Sequence, residues 1–263
     1  MEQSTSIVHP NVKARATSSE DASRASLDRI DVWTWRLCAS NAELTMLVRL
    51  LSDDELARAA RQASAQHRAQ FIVGRARSRQ ILARYLAMPP EALRFSYGKH
   101  GKPLLSQHRH ALSFNLSHSA GLAALAVSRC GAVGIDVEQL RPVGTDISLR
   151  FFTASEKAVL ARLSGRHWLE AFYRCWTRKE AVLKAIGKGL AGGLGVFDVA
   201  LAREATSGPL HIRGGEPGYS RRWSLYDLPL DAGFVGALAI TPDLRAGVHL
   251  SSVEHGITIL RHP

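Results

Sequence analysis

Two stretches of this chain read as the same object. Ser113-Phe-Asn-Leu-Ser-His-Ser-Ala-Gly-Leu-Ala-Ala-Leu-Ala-Val127 runs as strand, turn, strand, and so does Ser224-Leu-Tyr-Asp-Leu-Pro-Leu-Asp-Ala-Gly-Phe-Val-Gly-Ala-Leu-Ala-Ile240. A basic helical stretch lies upstream of each, Arg75–Ala87 before the first and Phe172–Gly187 before the second. A helix followed by a hairpin, given twice, predicts an α+β fold. It consists of two similar α/β halves related by pseudo-two-fold symmetry, with the natural site in the cleft between them. A length of 263 residues suits two sub-domains of roughly a hundred residues each.

The boundaries follow from local pattern. Residues 1–31 are polar and poor in large apolar groups, so they are expected to be a disordered leader. They hold no apolar h-region of a secretory signal. Val32–Leu37 alternates as the first strand. Ser52 followed by Glu55 is a capping box opening a helix to about Ala65. A second helix runs from His67 to Ala87 and stops before Pro89-Pro90. The N-terminal half is then 32–130, the C-terminal half 131–245, and 246–263 a weakly patterned tail with a late strand around Val253 or Ile257–Leu260.

The longest apolar runs, Gly121–Val127 and Phe234–Ile240, fall far short of the ~18 residues a membrane span needs. Cys38, Cys130 and Cys175 are scattered, with neither disulfide nor zinc spacing, so a reducing, cytoplasmic setting is expected. Net charge is +11. Such a surface attracts polyanions: nucleic acid, phosphorylated metabolites, anionic lipid or an acidic protein.

Two constellations carry chemistry. In Gly131-Ala-Val-Gly-Ile-Asp-Val-Glu138, alternate residues share a strand face. Asp136 and Glu138 stand about 7 Å apart, opposite an apolar face of Val133, Ile135 and Val137. Two like charges so close repel unless a cation or proton is shared. Mg²⁺ suits such a pair, and a solvated strand face is the plain alternative. On a helix, Phe172, Cys175, Val182, Leu183 and Ile186 form one apolar stripe, and Lys179 falls inside it. That lysine either snorkels or points into a cleft. Trp176, Glu180 and Lys184 follow along one flank, where Glu180 and Lys184 also fit an ordinary helix pair. His118 ends a strand. Glu156, with Thr153 or Ser155 as cap, reads most simply as a helix N-terminal acid.

In order and spacing, Gly101-Lys-Pro, Phe114-Asn-Leu-Ser-His118, Gly134-Ile-Asp-Val-Glu138, Arg150-Phe-Phe-x-x-x-Glu156, Trp176-x-x-Lys-Glu-Ala-x-x-Lys184 and Gly187-Lys-Gly-Leu190 resemble the Sfp-type 4′-phosphopantetheinyl transferases. The match runs from about Trp33 to Ile240. The resemblance implies a monomeric enzyme that moves phosphopantetheine from coenzyme A to a carrier-protein serine and releases 3′,5′-ADP. It implies a Mg²⁺ site of Asp136, Glu138 and Glu156. It makes Glu180 the base and gives Lys184 the pyrophosphate, with His118 beside them. It further assigns His118, Lys102 and Lys179 to coenzyme A phosphates, and Arg58, Arg61 and Arg79 to the 3′-phosphate.

The basic surface then suits an acidic acyl or peptidyl carrier protein. Two readings compete. One is a catalytically silent coenzyme A or carrier-binding relative, which would show a lost carboxylate or base. The other is a nucleic-acid-binding protein built on the arginine-rich Arg58–Arg84 region, which leaves Asp136, Glu138 and Glu156 unexplained.

Overall fold

Strand alternation decides how the layers stack. The computed structural model describes residues 29–107, 111–129, 131–187, 193–201, 209–210, 223–240 and 247–252. Strand β1 (Arg29–Arg36) sends Ile30 and Val32 to one face, while Trp33, Trp35 and Leu37 pack on the other side of its sheet. Helices α1 (Asn41–Val48), α2 (Asp53–Ala60) and α3 (Ala65–Leu86) follow. Next come a small hairpin of β2 (Phe95–Tyr97) and β3 (Pro103–Leu105), then β4 (Ser113–Ser119) and β5 (Leu122–Ser128). After them stand β6 (Val133–Gln139) and the helices α4 (Thr145–Phe151), α5 (Ala154–Leu160) and α6 (Gly165–Ile186). The described chain closes with β7 (Pro209–Leu210), β8 (Trp223–Asp227), β9 (Phe234–Ile240) and β10 (Gly247–Ser252).

The first four-stranded sheet has the order β10-β1-β5-β4, and the second β6-β9-β8-β7. Pairing is antiparallel except between β10 and β1. This is a mixed α+β architecture. The sheets meet through a shared apolar layer: Ile30, Val32, Ala124 and Ala126 from one, Val133, Ile135, Val137, Leu238 and Ile240 from the other. Strand β5 is buried at every position because its two faces serve two cores. The face of β6 that carries Asp136 is turned to α6. Gly134 is required there: a Cβ would stand 2.0 Å from the Ala181 carbonyl oxygen and 2.4 Å from the Ala185 nitrogen. Strand and helix backbones are therefore in direct contact at the site.

The two hairpins form as expected, with turns between β4 and β5 and between β8 and β9. The capping box also forms: Glu55 Oε2 accepts from the Ser52 amide at 3.1 Å. Two expected boundaries need correction. Residues 29–31, assigned to the leader, belong to β1, because Ile30 is fully buried between the sheets. Residues 247–252, assigned to the tail, form β10 and pair in parallel with β1. The late strand expected at Val253 or Ile257–Leu260 lies outside the described residues, as do residues 1–28. Among the described residues no helix is long and apolar enough to cross a membrane.

Candidate active site

The site grows from an unusual junction between sheet edges. On β4, Asn115, Ser117 and Ser119 project toward the second sheet. Asn115 Oδ1 accepts from the Ile135 amide (2.8 Å), Ser117 Oγ from Val137 (3.3 Å) and Ser119 Oγ from Gln139 (3.2 Å). Three short polar side chains thus satisfy the edge amides of β6, as buried backbone groups require. The Ser117 hydroxyl also donates to Asp136 Oδ1 (2.9 Å), and that of Ser119 to Glu138 Oε2 (2.7 Å). Asn115, Ser117 and Ser119 were not singled out from sequence. The signal was the period-two run of small polar residues in Asn-x-Ser-x-Ser.

Asp136 is 3% exposed, and Glu180 lies nearby on α6 with 8% exposure. Lys184, one turn on, places Nζ 2.5 Å from Asp136 Oδ1 and 2.9 Å from Ser117 Oγ. Asp136 Oδ2 and Glu180 Oε1 are buried without a hydrogen-bond partner. Burial, with the negative charge of Asp136, raises the Glu180 carboxyl to about 7, against the opposing pull of Lys184. Glu138 is also raised, by desolvation first. Asp136 is raised by desolvation, and Lys184 and Ser117 counter it. A carboxyl poised near neutrality, beside a lysine and two orphaned oxygens, suits proton transfer at an anionic centre.

On the opposite face of β4, His118 lines a cavity of about 160 Å³ with Leu37, Phe71, Gly74, Arg75 and Leu116 among its walls. Desolvation, then Lys184 and Arg75, hold its imidazole below the usual range. It therefore meets neutral pH uncharged.

Known proteins share these parts. A model described as the 4′-phosphopantetheinyl transferase superfamily matches residues 132–239, and one described as 4′-phosphopantetheinyl transferase, N-terminal, matches residues 34–130. The 4′-phosphopantetheinyl transferase HetI of Nostoc sp. is 38% identical over 217 residues, covering 81% of this chain and 88% of the relative. This chain belongs to the 4′-phosphopantetheinyl transferases. Sfp of Bacillus subtilis is 30% identical over 158 residues, covering 56% of the transferase described here and 70% of the relative. AcpT of Salmonella typhimurium is 40% identical over 122 residues, with 46% and 59% covered. The chain is thus an enzyme that places phosphopantetheine on carrier proteins.

Four residues assigned to ligands from sequence have internal partners in the transferase's tertiary structure. Glu156, expected at the metal, is turned inward instead. It is 2% exposed, and its oxygens are spent. Oε1 meets Lys179 Nζ and the Val199 amide, each at 2.8 Å, and Oε2 accepts from the Thr153 amide at 2.9 Å. It is the capping acid of α5, the plainer of the two readings. Lys179, expected at the coenzyme A phosphates, points into the core. It is fully buried against Glu156 and donates to the Leu194 carbonyl (2.6 Å) and to that of Phe197. Arg79 is likewise internal, with Nε 2.7 Å from Glu55 Oε2 and Nη1 on the Pro90 and Leu93 carbonyls. Lys102 spends its ammonium on backbone carbonyls of Lys184, Ala185 and Val133, and burial lowers it to about 8. The common reason is that a charge near an apolar core is retained only where internal partners replace water.

Arg58 stays at the surface, its guanidinium 3.7 Å above the Tyr97 ring. Arg61 is exposed at the end of α2. Arg75, in the cavity wall and 3.5 Å from Glu55, was missed from sequence because one arginine among many gives no local signal. Lys188, Gly189 and Leu190 of the final motif lie outside the described residues.

The internal reading of Lys179 has a measurable consequence. Lys179→Met leaves the Glu156 charge buried and unpaired, at a cost of about 3–5 kcal/mol. Melting temperature is expected to fall by several degrees, while the folded fraction keeps its affinity for coenzyme A. A large rise in KM for coenzyme A at unchanged melting temperature returns Lys179 to the phosphate site.

Proposed function

We propose that this transferase moves 4′-phosphopantetheine from coenzyme A to a serine hydroxyl of an apo acyl or peptidyl carrier protein, with Mg²⁺ held by Asp136 and Glu138. The observation that carries this reading is the pair of orphaned oxygens. Asp136 Oδ2 and Glu180 Oε1 are buried at the β6–α6 contact without a hydrogen-bond partner. A cation relieves that cost at Asp136, and a proton relieves it at Glu180. Among the described residues no three acidic, histidine or cysteine side chains converge enough to hold a metal alone. The donor set fits Mg²⁺, which takes one or two carboxylates and fills its shell with water and phosphate oxygens. When bound, it neutralises charge on the pyrophosphate.

The chain's own residues do the remainder. Glu180 accepts the serine proton as the serine oxygen bonds to the pantetheine-side phosphorus. The bond from that phosphorus to the bridging oxygen breaks, and 3′,5′-ADP departs with the electron pair. Lys184 offsets charge on the phosphates, and His118 lies in the wall of the adjoining cavity to orient them. Arg58 and Arg61 are proposed contacts for the 3′-phosphate. The cleft between two pseudo-symmetric halves is also our reading, supported by a 22-residue helix and a hairpin in each half. The halves meet near residue 130. A reducing cytoplasmic setting accords with free Cys38 and Cys175 among the described residues, and a monomer is part of the same proposal.

The test is direct. The protein, coenzyme A and Mg²⁺ are incubated with a panel of apo-carriers, and the serine-linked phosphopantetheine adduct is read by mass spectrometry. With +11 net charge, acidic carriers are expected to be modified fastest, and kcat/KM for the carrier to fall as salt rises to physiological levels. A salt-insensitive carrier KM would assign the basic surface to another polyanion. No adduct on any carrier would overturn the assignment.

A further inference from the structure

Lys102 is a cation built into the backbone framework of the site. It sits at the end of the turn between β2 and β3. Gly101 takes a left-handed φ of 78° there, its amide donating to the Gly98 carbonyl (2.9 Å) while the Gly98 amide donates to the Lys102 carbonyl (2.9 Å). The Lys102 backbone is thus fixed. Its ammonium crosses to another part of the molecule and donates to the carbonyls of Lys184 (2.7 Å), Ala185 (3.4 Å) and Val133 (3.5 Å). The first two belong to the last turn of α6, whose final carbonyls have no partner within the helix and carry the negative end of its dipole. Val133 opens β6. The three acceptors therefore mark the point where the helix of Glu180 and Lys184 meets the strand of Asp136.

We propose that Lys102 is a positioning residue: by fastening the β2–β3 turn to the end of α6 beside β6, it fixes the register of the helix and so holds the Lys184 ammonium at Asp136. The need follows from Gly134. Strand backbone stands directly against the backbone of Ala181 and Ala185 there, so any shift of α6 along β6 carries Lys184 with it relative to Asp136. A displacement of about 1 Å at reacting groups can cost on the order of a hundredfold in rate. A lysine that binds the carbonyl of Lys184 itself stops that slide at the residue whose side chain must be placed. Lys102 touches no reacting group in this arrangement. The inference rests on the place given to Lys184 in the proposed site.

A double-mutant cycle of Lys102→Met and Lys184→Met tests it, with kcat, KM for coenzyme A and melting temperature measured for each protein. Lys102→Met is expected to lower kcat by roughly tenfold or more, with KM for coenzyme A within about twofold of wild type. Lys102→Arg, which keeps a cation with several donors, should recover most of the loss. The double variant should be no slower than Lys184→Met alone, because a residue acting through Lys184 has nothing left to place. Losses that multiply overturn the positioning role while leaving Lys184 in the site. So does a large rise in KM for coenzyme A with kcat retained, which makes Lys102 a phosphate contact. An active Lys184→Met protein overturns the site reading and the proposal with it. If Lys102→Met does not fold, Lys102→Gln, a neutral donor of shorter reach, takes its place in the cycle.

Discussion

Asp136→Asn is expected to lower kcat at least about a thousandfold without unfolding the protein. Loss of metal-based charge stabilisation is worth several kcal/mol, and about 1.36 kcal/mol is a decade in rate. The asparagine keeps an oxygen for Lys184 and Ser117, which now stand 2.5 Å and 2.9 Å from Oδ1. What it loses is the charge, and the anionic oxygen at the position of Oδ2, which is buried without a partner. Coenzyme A should still bind through its proposed 3′-phosphate contacts, Arg58 and Arg61 on and after α2, a different element from the altered strand. Removing divalent ions from the wild-type enzyme with EDTA should reproduce the loss, and returning Mg²⁺ should restore only the wild type. Wild-type turnover that is unchanged in EDTA would remove the metal from Asp136 and Glu138 together.

The second large effect is at Glu180. As a surface partner of Lys184 it would contribute a few tenths of a kcal/mol, and Glu180→Gln would barely change the rate. The structure does not pair these two: Lys184 turns to Asp136 and leaves Glu180 Oε1 orphaned. As a base, Glu180 must lose function when its proton affinity is removed and its shape kept. General-base catalysis contributes roughly 10²–10⁴-fold, so kcat should fall at least about a hundredfold. The pH dependence has a defined sign. Burial and Asp136 raise Glu180 to about 7 in the metal-free protein; burial still raises it once Asp136 is engaged by Mg²⁺, so wild-type rate should fall as pH drops through the acidic side of neutrality. The acid limb should vanish in the variant.

Stability moves the other way. The folded state binds the Glu180 proton more tightly than the unfolded chain, so the protonated form favours folding. That contribution is fully present below the unfolded value and is lost as pH rises through about 7. Without metal at pH 8, Glu180→Gln should melt at or above the wild-type temperature. A variant that is slow yet equally or more stable is the signature of a residue kept for chemistry. Retention of more than about a tenth of wild-type kcat would take the role from Glu180.

How much of this was written in the chain can be judged residue by residue. Strand periodicity alone put Asp136 and Glu138 on one face of β6 and Val133, Ile135 and Val137 on the other, because alternate side chains must oppose. Helical periodicity put Glu180 and Lys184 one turn apart. The hairpins and the capping box at Ser52 and Glu55 are equally local, and they form as read. Partners, by contrast, depend on which elements meet. Glu156 and Glu180 are both acids in motif register, and only the packing of α6 on β6 puts Glu180 with Asp136, while Lys179 and Val199 claim Glu156. The same holds for Lys102, whose acceptors are carbonyls distant in sequence, for Arg79, which finds Glu55 on another helix, and for β10, which finds β1 across nearly the whole chain. Local sequence sets the direction in which a side chain leaves the backbone. What it finds there is decided by tertiary contact, because burial without an internal partner is too costly for a charge to remain alone.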